Sequence, residues 1–107
     1  GNGSAWAVLG EMRELGVETK QWHLVVGESV FSSGIQHLVV VGQAATDYRT
    51  GALLAGMNAD QIHYFETPET AAAILQVVVG AEDVVLVKGS RAAGLERIVN
   101  SLCGDPA

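Results

Sequence analysis

The chain has 107 residues, 49% hydrophobic and 17% charged, which describes one domain with a core of its own and excludes a disordered segment. Twelve acidic against six basic residues leave a net charge of −6, which argues against a nucleic-acid partner, since that needs a basic face toward phosphates. No apolar run approaches the roughly 18 residues of a membrane helix, so no membrane partner is expected, and the single cysteine, Cys103, cannot form an internal disulfide, as suits a reducing compartment.

Gly1-Asn2-Gly3-Ser4 has neither a charged nor an apolar leader pattern, so residues 1–4 read as a linker or an expression scar and the folded domain as 5–107, in the cytoplasm. Ala5–Leu9 is the first of four short apolar runs. Trp22, Val25, Val26, Ser29 and Val30 then follow helical spacing and predict a helix, stopped by Gly34. Leu38–Val41 is a second strand. A weaker helical pattern over 44–56 contains Gly51, which costs about 1 kcal/mol relative to alanine. Ile62–Phe65 is a third strand, and Thr67 followed by Pro68 marks a capped helix start. Val84–Val87 is the fourth strand, and Leu95, Ile98, Val99 and Leu102 recur at i, i+3, i+4 and i+7 ahead of the stops Gly104 and Pro106.

The first, second and fourth runs are nearly continuous, which predicts strands buried on both faces. The alternation predicts an α/β fold: a Rossmann-like three-layer α/β/α sandwich on a mainly parallel sheet, four strands in the order 3-2-1-4, joined by right-handed crossovers.

In such a sheet ligands bind at the carboxyl ends of strands where the order reverses. The loop Gly10 to Gly16 after the first strand and the loop Lys88-Gly89-Ser90-Arg91 after the fourth would sit there side by side. Arg13, Lys88, Arg91 and Arg97, four of the six cationic residues, lie in or just after them, which points to an anionic ligand. Free amides at the helix start after Arg91 favour an anion, lysine supplies a point charge, arginine can grip a carboxylate with two hydrogen bonds, and Gly89 permits close backbone approach. A solvated loop with a serine cap accounts for the second loop equally well, and Glu11 and Glu14 around Arg13 also fit an exposed charge run. GxxxxGK[ST] and GxGxxG are both absent, which argues against a P-loop and a dinucleotide site.

His23 is expected to pack or hydrogen-bond between helix and loop rather than catalyse, and His37 and His63 to lie away from both loops. Trp6 and Trp22 are expected in the core or between helix and sheet, and Cys103 as a small apolar residue. No metal-ligand spacing occurs.

Val8-Leu9-Gly10-Glu11-Met12-Arg13-Glu14-Leu15-Gly16, then His23, then Asp83-Val84-Val85-Leu86-Val87-Lys88-Gly89-Ser90-Arg91-Ala92-Ala93-Gly94-Leu95-Glu96 resembles the C-terminal domain of Mur ligases, from about Trp6 to Leu102. It most resembles the branch that joins D-alanyl-D-alanine to a UDP-N-acetylmuramoyl tripeptide. The resemblance implies the closing domain of a three-domain, ATP- and Mg2+-dependent amide ligase of peptidoglycan synthesis, in which an acyl-phosphate on the substrate carboxyl is attacked by the dipeptide amine.

The implied partners are those two substrates and the missing N-terminal and central domains, which carry the P-loop and the metal site. The family's Asp/Asn/Pro-rich segment and helix ahead of the first strand are also missing, so the chain is expected to be a fragment that neither turns over nor binds cofactor tightly alone. By resemblance, Gly10, Glu11, Met12 and Arg13 form the loop that meets the ATP ribose and phosphates, with Glu11 where the family commonly has aspartate. Lys88, Gly89, Ser90 and Arg91 face the carboxylate of the incoming nucleophile, and Glu96 is a surface residue. Two other classes stay open: a free-standing Rossmann-like nucleotide-binding or regulatory module, and a folding or interaction unit without ligand.

Overall fold

The computed structural model describes residues 3–12, 19–89 and 94–103. Strands β1 (Ala5–Gly10), β2 (His37–Val41), β3 (Ile62–Phe65) and β4 (Val84–Lys88) alternate with helices α1 (Thr19–Ser32), α2 (Asp47–Ala55), α3 (Pro68–Val78) and α4 (Glu96–Cys103). All three strand pairings are parallel, and the order is β3-β2-β1-β4, as the alternation predicts. β1 therefore lies between β2 and β4, with Leu9 opposite both Val40 and Lys88.

Successive strand residues point to opposite faces. Ala7, Leu9, Leu38 and Val40 pack with Val30 of α1 and with Tyr48 and Ala52 of α2. Val8, Val39 and Val41 pack with Ala71 and Leu75 of α3, with Ile98 of α4 and with Leu95 just ahead of it. β1 and β2 are buried on both sides, which is why their sequences are unbroken apolar runs.

β4 departs from that expectation. Val85 and Val87 face the α3/α4 core, but Val84 and Leu86 are 68% and 45% exposed. The strand is an edge, and among the described residues no helix covers its side next to α1. Hydrophobicity alone did not distinguish an edge strand from a central one.

The apolar stripe of α1 is only in part its buried face: Val30 is buried and Val26 packs against the core, but Trp22 is not in the core as expected. Trp22 and Val25 are exposed, and the buried positions are His23, Gly27 and Val30. The reason lies at the contact with α2. A Cβ on Gly27 would collide with the Tyr48 carbonyl oxygen, and one on Gly51 with the Leu24 carbonyl oxygen. The two helices approach backbone to backbone, and the glycine that weakened α2 as a sequence pattern is what permits the approach.

Local signals fix the remaining boundaries. Gly34, at φ 81°, reverses the chain after α1. The Thr67 hydroxyl accepts from the Thr70 amide at 3.2 Å ahead of Pro68. Ile98 of α4 and Leu95 just ahead of it are buried, whereas Val99 is exposed. At the amino-terminal end of the sheet, Asp83 accepts from the Ser4 amide (2.7 Å), the Gly80 amide (2.8 Å) and Trp6 Nε1 (3.0 Å). Those amides, Ser4 first and then Gly80, hold its carboxyl below the ordinary value of 3.8. Trp6 is buried as expected and stacks on His37, with ring centroids 4.1 Å apart. The linker residues Gly1 and Asn2 and the stops Gly104 and Pro106 lie outside the described residues, as does the Cys103 side chain.

Candidate functional site

β1 and β4 are adjacent and parallel, so the segments leaving them emerge together at the carboxyl edge of the sheet. The contact between them is close. A Cβ on Gly89 would stand 2.7 Å from Leu95 Cδ1 and 3.2 Å from Gly10 Cα, nearer than such atoms pack. Gly89 thus lets the end of β4 sit close against the end of β1 and beside Leu95.

Among the predicted site residues, Gly10, Glu11, Met12, Lys88 and Gly89 are brought to this one edge. Arg13, Glu14, Gly16, Ser90 and Arg91 lie outside the described residues. Glu11 and Met12 are half-buried and Lys88 is exposed. Lys88 shares its face with Leu9 and Leu86, and with Met12 and Trp22 it lines a groove of about 220 Å³ between α1 and β4. Arg97, counted among the clustered cations, turns instead to Glu69 of α3, with 3.4 Å between Nε and Oε1. That exposed pair contributes little to stability.

Two buried side chains reach the backbone of the first loop from behind. The Tyr48 hydroxyl donates to the Gly10 carbonyl at 2.8 Å, in a site where burial pushes the phenol up to about 12. The Met12 amide donates to His23 Nε2 at 3.2 Å, which places the proton of the neutral imidazole on Nδ1. The two rings stack with centroids 4.2 Å apart and an interplanar angle of 28°. The loop role expected of His23 is present. Tyr48 was missed, because no local pattern connects a tyrosine in a glycine-containing helix to a carbonyl 38 positions earlier. His37 and His63 belong to the opposite edge, beside Trp6, as expected.

No group of three His, Cys, Asp or Glu converges to hold a metal among the described residues. No helix among them is long and apolar enough to cross a membrane.

The arrangement can present backbone groups, one carboxylate and one ammonium group from a rigid edge, but no nucleophile–base pair is assembled among the described residues. Comparison with known proteins gives this edge a context. Residues 1–91 match the family described as Mur ligase, glutamate ligase domain. The UDP-N-acetylmuramoyl-tripeptide–D-alanyl-D-alanine ligase of Mycobacterium leprae is 34% identical over 105 residues, covering 96% of this chain and 20% of that protein. A crystal structure of MurF from Acinetobacter baumannii superposes with a TM-score of 0.76 at 28% identity, over 98% of this chain and 23% of that one. The MurF ligase of Thermotoga maritima, solved in complex with ADP, superposes at 0.69 with 28% identity, over 94% and 22%. The chain spans about a fifth of the length of the curated relatives it matches.

Proposed function

We propose, since the chain belongs to the Mur ligase family as its glutamate ligase domain, that residues 5–107 are the substrate-positioning domain of an ATP-dependent amide ligase. That ligase adds D-alanyl-D-alanine to a UDP-N-acetylmuramoyl tripeptide in cytoplasmic peptidoglycan synthesis. The observation that carries the proposal is the meeting of the β1 and β4 loops at Gly10 and Gly89. Two segments of different chemistry, one with the Glu11 carboxylate and one with the Lys88 ammonium group, are held on one edge.

The roles divide by chemistry. Gly10, Glu11, Met12 and Arg13 face the nucleotide, where the Glu11 carboxylate accepts from ribose hydroxyls and Arg13 faces phosphate. Lys88, Gly89, Ser90 and Arg91 face the carboxylate of the incoming dipeptide, Lys88 as a point charge and Arg91 as a fork. ATP, when bound, supplies the phosphoryl group that activates the tripeptide carboxyl. The half-buried Glu11 beside a fixed loop backbone fits a ribose contact. Mg2+ has no such fit among the described residues, and no step through it is assigned to this chain. What the domain contributes is orientation: an amine held in line with an activated carboxyl reacts as though at very high local concentration.

The test is steady-state kinetics of a full-length ligase ending in this domain. Arg91→Ala removes one charge-assisted contact, expected to raise KM for D-alanyl-D-alanine about 10- to 150-fold. Unchanged dipeptide kinetics would remove Arg91 from the site. The 107-residue chain alone is expected neither to hydrolyse ATP nor to bind it tightly; a micromolar dissociation constant by calorimetry would favour a free-standing nucleotide-binding module instead.

A further inference from the structure

Apart from the ring-bearing Trp6 and Tyr48, His23 is the only side chain with a polar group buried outright among the described residues. Burying an imidazole and a phenol is costly unless both are hydrogen-bonded, and two aliphatic side chains would fill the same space without that cost. One hydrogen bond from each ring goes to the same short segment. Tyr48 takes the Gly10 carbonyl, His23 takes the Met12 amide, and the rings lie against each other. Glu11 stands between those two stations, so its backbone is fixed on both sides by side chains from two different helices.

We propose that His23 and Tyr48 are positioning residues, acting as one stacked clamp that sets the Gly10–Met12 segment before any ligand arrives. A segment leaving a buried strand would otherwise be ordered only on binding, at a cost in affinity. With the clamp, that ordering is complete on folding, and it is tied to the α1–α2 contact at Gly27 and Gly51. The consequence for the nucleotide rests on the function proposed above; the clamp itself rests on the three distances.

The first test needs no mutation. In the 15N-labelled 107-residue chain, an N–H···N hydrogen bond transmits a scalar coupling between the Met12 amide nitrogen and His23 Nε2. Its detection is expected, and its absence in a folded sample with an assigned Met12 resonance overturns the clamp.

Variants then separate positioning from bulk. His23→Gln can place its carbonyl oxygen near the Nε2 position and keep an acceptor, whereas His23→Asn is too short. Met12 amide exchange should stay within about twofold of wild type in the Gln variant and rise about tenfold in the Asn variant, with Val8 and Leu9 unchanged. Tyr48→Phe loses the hydroxyl and keeps the ring, so it should shift the Glu11 amide nitrogen, which follows the released carbonyl, and leave Met12 exchange within about twofold of wild type. Equal Met12 exchange in the Gln and Asn variants, or a parallel rise at Val8 and Leu9, would return both rings to a filling role.

In a full-length ligase, His23→Asn should raise KM for ATP several-fold with kcat retained, and His23→Gln should restore it. A detected coupling with a flat ATP KM keeps the clamp and removes the nucleotide from this loop.

Discussion

The two faces of the sheet are covered by different means. On the α3/α4 side, Ala71, Leu75, Leu95 and Ile98 close over Val8, Val39 and Val41 with aliphatic side chains. On the α1/α2 side the helices meet through glycines, and the buried positions of α1 include a histidine that serves a loop. The first face is built from hydrophobic volume, which forgives small changes of shape. The second is built from backbone proximity and directed hydrogen bonds, which do not, and it lies directly behind the candidate site.

Substitutions of opposite kind separate the two. The largest effect is expected from Leu75→Ala on the aliphatic face: a cavity costing about 2–5 kcal/mol, with Tm lowered by about 10 °C or more. Gly51→Ala comes next. Alanine gains about 1 kcal/mol of helix propensity, yet its Cβ meets the Leu24 carbonyl, so a net loss of about 1–3 kcal/mol is expected in chemical denaturation. A stabilised Gly51→Ala would end the contrast, because α1 and α2 would then separate without cost.

Acid acts at the other end of the sheet. The carboxyl of Asp83 is held below 3.8, so its contribution is complete above the ordinary carboxylate value and is lost as pH falls through the lower folded value. Stability measured from pH 5 downward should therefore fall less steeply in Asp83→Asn than in wild type; identical slopes would remove this linkage. The smallest effect is expected at Arg97→Ala, within about 0.5 kcal/mol by thermal unfolding, since its ion pair with Glu69 is exposed.

The same contrast explains what could be read in advance. Strand positions, sheet order, the Thr67–Pro68 helix start and the Gly34 stop depend on local chemistry or on alternation, and they are where the pattern places them. The meeting of Gly10 with Gly89 follows from that order and was equally legible. The buried stripe of α1 was not, because periodicity weighs apolar character and the true stripe, His23–Gly27–Val30, contains a base and a residue with no side chain. Nor was the exposure of β4: Val84 and Leu86 are apolar in any setting, and whether a helix lies over them is decided by distant parts of the fold. Tyr48 escaped for the same reason, its partner being fixed by the crossing of two helices.

The pairing of β1 with β4 also orders events in time. Ser4 and Asp83 are joined by a hydrogen bond across 79 positions, and β1 takes its second neighbour only from Val84–Lys88. Everything needed for the β1–β2 ladder and the α1–α2 contact has been synthesised by Gly56, roughly half-way along the chain. During translation that half can assemble first, with β1 as its open edge, whereas the docking of β4 must await the last quarter of the chain and the closure of a long loop. Because Gly89 follows β4 directly, the candidate site is among the last features of the domain to come into being.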